Sequence, residues 1–372
     1  MIPYGRHWIE EEDIRAVTEV LRGDWLTQGP RVEEFERRVA DRCGARHAVA
    51  FSSGTAALHA AVFAAGAGPG TEIMTSPLSF AASANCALFQ GAVPRFADVE
   101  KGGFNLDPGE VEKRWSERTK AVIPVDFAGH PADLDRFRDI AHAKGGLVIQ
   151  DASHSLGGEY KGRPVGAQSD ITTFSFHPVK AITTGEGGMA VTQSPELFER
   201  LRRFRTHGVV RPASRDSWFY EMVDLGYNYR LTDFQSALGI SQLARLEAFL
   251  ERRRSIAAAF DAAFKSCRRL TPLAPSRDVK SAYHLYVVQI DFDELGKDRA
   301  QVMEELKQKG VGSQVHYIPI HFHPYYRRLF GQEHYPEAEK FYAKALSLPL
   351  YPKLTEEEVG RVIRAVKEVV EP

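Results

Sequence analysis

Three short stretches hold residues able to do chemistry. In FSSGTAALHA a strand pattern ends near Ser52, and Gly54 and Thr55 open an apolar helix. Free backbone N–H groups and a hydroxyl at a helix start suit a phosphate, although Ser and Thr also serve there as plain caps. In IQDASHSLGG, Asp151 closes an apolar run with His154 three residues on. A buried carboxylate needs a partner, because an isolated charge costs on the order of several kcal/mol; it can face a protonated ring nitrogen or cap the next turn. In SFHPVKAITTGEGG, Lys180 follows a strand pattern, with Ser175 and His177 on the approach and a glycine cluster behind. Desolvation at a strand end draws a lysine below its ordinary pKa of about 10.4 and turns its amine into a nucleophile or proton carrier, which a solvated loop lysine is not.

Each stretch alone has an ordinary structural reading. Together they supply a phosphate cradle, an acid and, 29 positions beyond that acid, a lysine. Pyridoxal phosphate needs all three: a lysine for its Schiff base, an acid to keep its pyridine nitrogen protonated, and donors for its phosphate.

The elements that must bring these stretches together are visible as patterns. Strands are expected at 47–52, 71–76, 93–99, 119–127, 146–152, 171–176 and 189–193, with helices between several of them at 55–66, 133–145 and 194–205. This alternation predicts an α/β fold with a mostly parallel seven-stranded sheet covered on both faces, and ligands beyond the carboxyl ends of the strands. Residues 232–265 read as one long helix or two in tandem. Beyond them, a strand at 281–292, a helix at 301–310, a strand over VGSQVHY (311–317) and a capped helix at 355–370 predict a smaller C-terminal α/β domain. The expected division is a large domain over 14–245 and a small one over 246–372 joined by 1–13.

A length of 372 residues favours two domains. With 43% hydrophobic and 26% charged residues, and 48 basic against 49 acidic side chains, nothing indicates bulk attraction to nucleic acid or to a membrane. The stretch MIPYGRHWIEEED offers no apolar run of signal-sequence type, so a cytoplasmic location is expected. Cys43, Cys86 and Cys267 are too scattered for a disulfide framework and are expected to be buried thiols. The spacing of His316, His321 and His323 matches no established zinc pattern, and no metal is expected.

DASH, SFHPVK and TTGEGG resemble the DegT-type sugar-nucleotide aminotransferases, and the resemblance runs almost end to end: LTQGP (26–30), SSGTAAL (52–58), SPLSFAASAN (76–85), AGHPADLD (128–135), GYNYRLTDFQSALG (226–239) and QVHYIPI (314–320). Pro178 stands where alanine is common in that family. The resemblance implies fold type I, the aspartate aminotransferase fold. It also implies that Lys180 carries the cofactor and shuttles a proton, that Asp151 pairs with the ring nitrogen, and that His154 sits near the ring oxygen. Phe80 would stack on the ring, and Gly54, Thr55 and Ser175 would bind the phosphate. Asn228 would reach the phosphate of a second subunit, which implies a homodimer. Family positions that touch a sugar nucleotide correspond to Tyr4, to Asp24, Trp25, Leu26 and Thr27, and to Gln314, Val315, His316 and Tyr317. Within the family the likeness is greatest to members of pseudaminic acid synthesis, which implies L-glutamate as donor and UDP-4-keto-6-deoxy-N-acetyl-β-L-altrosamine as acceptor. Other 3- or 4-keto sugars linked to UDP, dTDP or GDP, and a sugar dehydratase on the same fold, are the alternatives.

Overall fold

The computed structural model describes residues 1–274 and 276–371. Seven apolar runs form the central sheet: β1 (His47–Phe51), β2 (Glu72–Thr75), β3 (Val93–Phe96), β4 (Thr119–Ile123), β5 (Leu147–Asp151), β6 (Ile171–Ser175) and β7 (Gly188–Thr192). Their order is β1-β7-β6-β5-β4-β2-β3. β7 runs antiparallel to both its neighbours, and every other pairing is parallel. Strands such as β2 and β7 are buried at every residue, as a sheet with helices on both faces requires.

The covering helices are α1 (Glu11–Leu21), α2 (Pro30–Cys43), α3 (Gly54–Ala64), α4 (Ala82–Phe89), α5 (Pro108–Arg114), α6 (Leu134–Ala143), α7 (Pro195–Arg205), α8 (Asp233–Ala244) and α9 (Leu246–Phe264). α3 is apolar nearly all round because it is sandwiched: its alanines pack with Val49, Ile73, Ile149 and Phe204. α8 and α9 are the tandem pair expected over 232–265, broken at Arg245.

A second, antiparallel sheet of β8 (Leu270–Pro272), β9 (Tyr286–Ile290) and β10 (Ala345–Leu348), in that order, follows. Its core joins Phe260 and Phe264 of α9 to Val288, Leu346 and Val362. Two more helices, α10 (Arg299–Gln308) and α11 (Glu356–Val370), contribute Leu306 and Val366 to that core. α11 starts on a Thr355–Glu358 capping box.

The strand expected over 311–317 does not form. Val311 and Gln314 each make a single bridge, to Ile2 and Ser347. The two bridges go to different segments, so no one neighbour runs alongside these residues, and the Gln314 side chain folds back so that its Oε1 accepts the Val315 N–H at 2.9 Å. The four-residue strand β10 went unread because it directly follows a helical stretch, Pro336–Lys344. Among the described residues, no helix is long and apolar enough to cross a membrane.

Candidate active site

The carboxyl ends of the interior strands β5 and β6 and the start of α3 meet at one end of the central sheet, and loops of the C-terminal part close over them. β5 ends on Asp151, which is buried. Its Oδ2 accepts the Ser83 hydroxyl at 2.7 Å and its Oδ1 accepts the Ser153 N–H at 3.2 Å. Ser83 is in turn 2.8 Å from Ser79, so a chain of two serines fixes the carboxylate. β6 ends on Ser175, and the next turn is closed by Lys180 N–H donating to the His177 carbonyl and by Thr184 N–H donating to the Phe176 carbonyl. That turn sets Lys180 beside the strand end.

At the start of α3, Ser53 caps the helix through Ala56 N–H, and Ala57 N–H bonds the Ser53 carbonyl. The amides of Gly54 and Thr55 have no intrahelical partner, and both residues line the cavity. Glycine is needed at 54, because a Cβ there would stand 2.8 Å from Ser175 Cβ. The same holds at Gly188 of β7, where a Cβ would stand 2.3 Å from the Ser53 carbonyl oxygen.

These groups surround a cavity of about 400 Å³. Lys180, Asp151, His154 and Ser175 line it, together with Gly54, Thr55 and Phe80. Tyr4, His316 and Tyr317 complete the set of sequence-predicted residues found there. Phe80 is 61% exposed at the rim, its ring 6.0 Å from that of Tyr317. Tyr317 Oη lies 3.2 Å from His154 Nε2, and Ser347 Oγ lies 2.8 Å from His316 Nδ1.

Burial pushes Lys180 down to about 8; Asp151 pulls it back up and Arg253 pushes it further down. Burial, with the lysine adding to it, also holds His154 well below the usual imidazole range and His316 at about 4. The site therefore presents an amine whose proton is loosened to about 8, one fixed carboxylate and neutral imidazoles.

The remaining predicted residues lie outside this cavity. Asn228 pairs through its backbone with Thr206, and its neighbours in sequence, Tyr227 and Tyr229, stack their rings on each other. Asp24, Trp25 and Leu26 are exposed, and Thr27 bridges to Thr232. Gln314 and Val315 belong to the irregular segment described above. The three histidines of the C-terminal loop diverge: His316 faces the cavity, His321 lies 3.0 Å from Glu339, and His323 lines a separate groove with Tyr325 and Phe89.

Sequence reasoning missed Ser83, Glu186 and His284, which also line the cavity. The His284 ring is 4.2 Å from that of His154, and burial holds it well below the usual range. A histidine inside the apolar run SAYHLYVV was the available signal.

The donor set fits pyridoxal phosphate. Open amides at a helix start beside Ser175 suit its phosphate, a fixed carboxylate suits its ring nitrogen, and a lysine whose proton burial has loosened suits its carbonyl. The buried Nδ1 of His154 has no partner among the described residues, which leaves a polar atom for a bound group to satisfy.

Comparison with known proteins points the same way. The profile of the DegT/DnrJ/EryC1/StrS aminotransferase family matches residues 7–367. The spore coat polysaccharide biosynthesis protein SpsC of Bacillus subtilis is 41% identical over 377 residues, covering 99% of this chain and 97% of that protein. The UDP-4-amino-4,6-dideoxy-N-acetyl-β-L-altrosamine transaminase of Campylobacter jejuni is 38% identical over 357 residues, covering 95% and 93%. Among solved structures, Helicobacter pylori PseC, an aminotransferase involved in the biosynthesis of pseudoaminic acid, superposes with a TM-score of 0.94 at 35% identity, covering 100% of this chain and 99% of its own. The PLP-form of a sugar aminotransferase from Streptococcus pneumoniae superposes with a TM-score of 0.93 at 32% identity, covering 100% and 98%, and a PMP-form is also known.

Proposed function

The chain belongs to the DegT/DnrJ/EryC1/StrS aminotransferase family and is a pyridoxal-phosphate-dependent sugar aminotransferase, and from that premise we propose that it moves the amino group of L-glutamate to C4 of UDP-4-keto-6-deoxy-N-acetyl-β-L-altrosamine. The observation that carries the site assignment is the single cavity in which Lys180, Asp151, Ser175 and the start of α3 converge. The substrate assignment is supported by the likeness to the Campylobacter transaminase.

When bound, pyridoxal phosphate supplies a carbonyl that takes up amines and an electron sink for the bond that breaks at the amino-acid carbon. The protein supplies the rest. Lys180 Nζ would hold the group covalently and, when free, would take and return the proton at the reacting carbon. Asp151, locked by Ser83, keeps a proton on the ring nitrogen. Gly54, Thr55 and Ser175 bind the phosphate, Phe80 covers the ring, and His154 meets its oxygen. Tyr4, the stretch Asp24–Thr27 and Gln314–Tyr317 receive the sugar nucleotide on a rim rich in aromatic and amide groups. Asn228 completes the neighbouring site in a homodimer whose subunits each pair a large domain (14–245) with a small one (246–372, with 1–13).

A second reading keeps the chemistry and changes the acceptor to another 3- or 4-keto nucleotide sugar; the higher identity to the Bacillus spore coat protein favours it. Incubating the enzyme with glutamate and a panel of 4-keto UDP-, dTDP- and GDP-sugars, with products identified by mass, decides between them. Amination of the UDP-altrosamine precursor alone is the expected result, and amination of only a dTDP- or GDP-sugar overturns the substrate assignment. Lys180→Ala should abolish both turnover and the visible absorbance of the bound cofactor. Full activity in that variant would refute the site itself. Glutamate should also change the wild-type absorbance without any sugar present, and release of an aminated rather than a deoxygenated sugar separates a transaminase from a dehydratase.

A further inference from the structure

Arg253, in the middle of α9, is 1% exposed, among the most thoroughly buried charges in the chain. Every hydrogen bond it makes among the described residues goes to a main-chain carbonyl rather than to a carboxylate. Nη1 is shared among the carbonyl oxygens of Leu350 at 3.0 Å, His284 at 3.2 Å and Tyr283 at 3.3 Å. Nη2 donates to Val179 at 3.4 Å, and Nε has no partner. A buried cation without a counter-ion is costly, and burial lowers the proton affinity of this guanidinium to about 10. Its contacts say what the cost achieves. Val179 immediately precedes Lys180, His284 is a wall of the cavity, and Leu350 lies just past β10. One planar fork thus ties the lysine turn of the central sheet to two segments of the C-terminal part.

The groups around Lys180 come from several elements. Asp151 ends β5, His154 follows it, Glu186 precedes β7, and His284, His316 and Tyr317 come from the C-terminal part. Burial keeps the three histidines neutral, so Arg253 is the positive charge that opposes protonation of the lysine, against the pull of Asp151.

We propose that Arg253 is a positioning residue for the transamination: it fixes the Val179–Lys180 peptide against His284 and holds a positive charge behind the lysine amine. This rests on Lys180 being the covalent anchor. The two functions separate by substitution. Arg253→Met removes fork and charge, whereas Arg253→Lys keeps a protonatable amine without the fork.

The test follows the rate at which the full-length apoprotein takes up pyridoxal phosphate as a function of pH, together with kcat and KM of the holoenzyme. The wild-type midpoint is expected near 8. In Arg253→Met the midpoint should rise on the order of one unit, since a lost cation favours the charged amine. In Arg253→Lys kcat should fall at least tenfold with KM little changed, and the midpoint should rise no further than in Arg253→Met. An unchanged midpoint in Arg253→Met, or an unchanged kcat in Arg253→Lys, overturns the proposal even if the variant melts earlier; should Arg253→Met fail to fold, the kcat of Arg253→Lys decides. Those results leave the Lys180 assignment standing as long as Lys180→Ala is inactive.

Discussion

A carboxylate serves the chemistry only if something holds it still, and for Asp151 that is the hydroxyl of Ser83. Ser83→Ala leaves one oxygen of a buried carboxylate without its side-chain donor, a loss of about 1–3 kcal/mol. The expected outcome is a lower melting temperature and an affinity for pyridoxal phosphate weaker by roughly tenfold, read by titrating the apoprotein; an unchanged affinity would mean that the Ser153 amide suffices. Lys180, Asp151 and the Gly54–Thr55 start were legible in the sequence because costly residue types stood at the ends of readable strands. Ser83 was not, since it lies in a helical stretch and meets Asp151 across 68 positions of chain. Arg253 was hidden for the opposite reason: in ERRRSIAAAF a run of arginines reads as a solvated face, yet one of them points inward.

At the scale of elements, the site depends on how closely the start of α3 approaches the end of β6. Gly54→Ala adds a methyl 2.8 Å from Ser175 Cβ, so the strand end or the helix start must move. Alanine is otherwise the better helix former, though at this first helical position by less than the roughly 1 kcal/mol of a helix interior, which offsets part of the strain. Stability and cofactor binding should therefore separate: the melting temperature changes little while the affinity for pyridoxal phosphate falls at least tenfold. Equal, small effects on both would show that the cradle tolerates the shift. The seven strands themselves were readable as apolar runs between helices. Their order was not, because β7 enters between β1 and β6 by pairings that no local pattern encodes. The segment 311–317 misled for a related reason. Its alternation suits a strand, but a sheet needs a partner along its whole length, and Val311 and Gln314 bridge to two different segments.

The whole molecule leaves a group of large apolar side chains in water. Trp218, Tyr220, Met222 and Leu225 are each at least 60% exposed, on the stretch that leads into Asn228. Clustered exposure of this kind marks a surface that another chain covers. Asn228 does not line the cavity of its own chain, so a homodimer in which it completes the neighbouring site accounts for both facts. If each site takes Lys180 from one subunit and Asn228 from the other, then Lys180→Ala and Asn228→Ala are each inactive alone but complementary when mixed. After random subunit exchange half the dimers are mixed, and each mixed dimer holds one intact site and one doubly damaged site. The mixture should recover about a quarter of the wild-type activity, with a solution mass twice that of the chain. Light scattering and the glutamate-dependent absorbance change read the two quantities independently. A dimer that recovers nothing would place Asn228 in the service of its own chain, and a monomer with full activity would remove the need for a partner altogether.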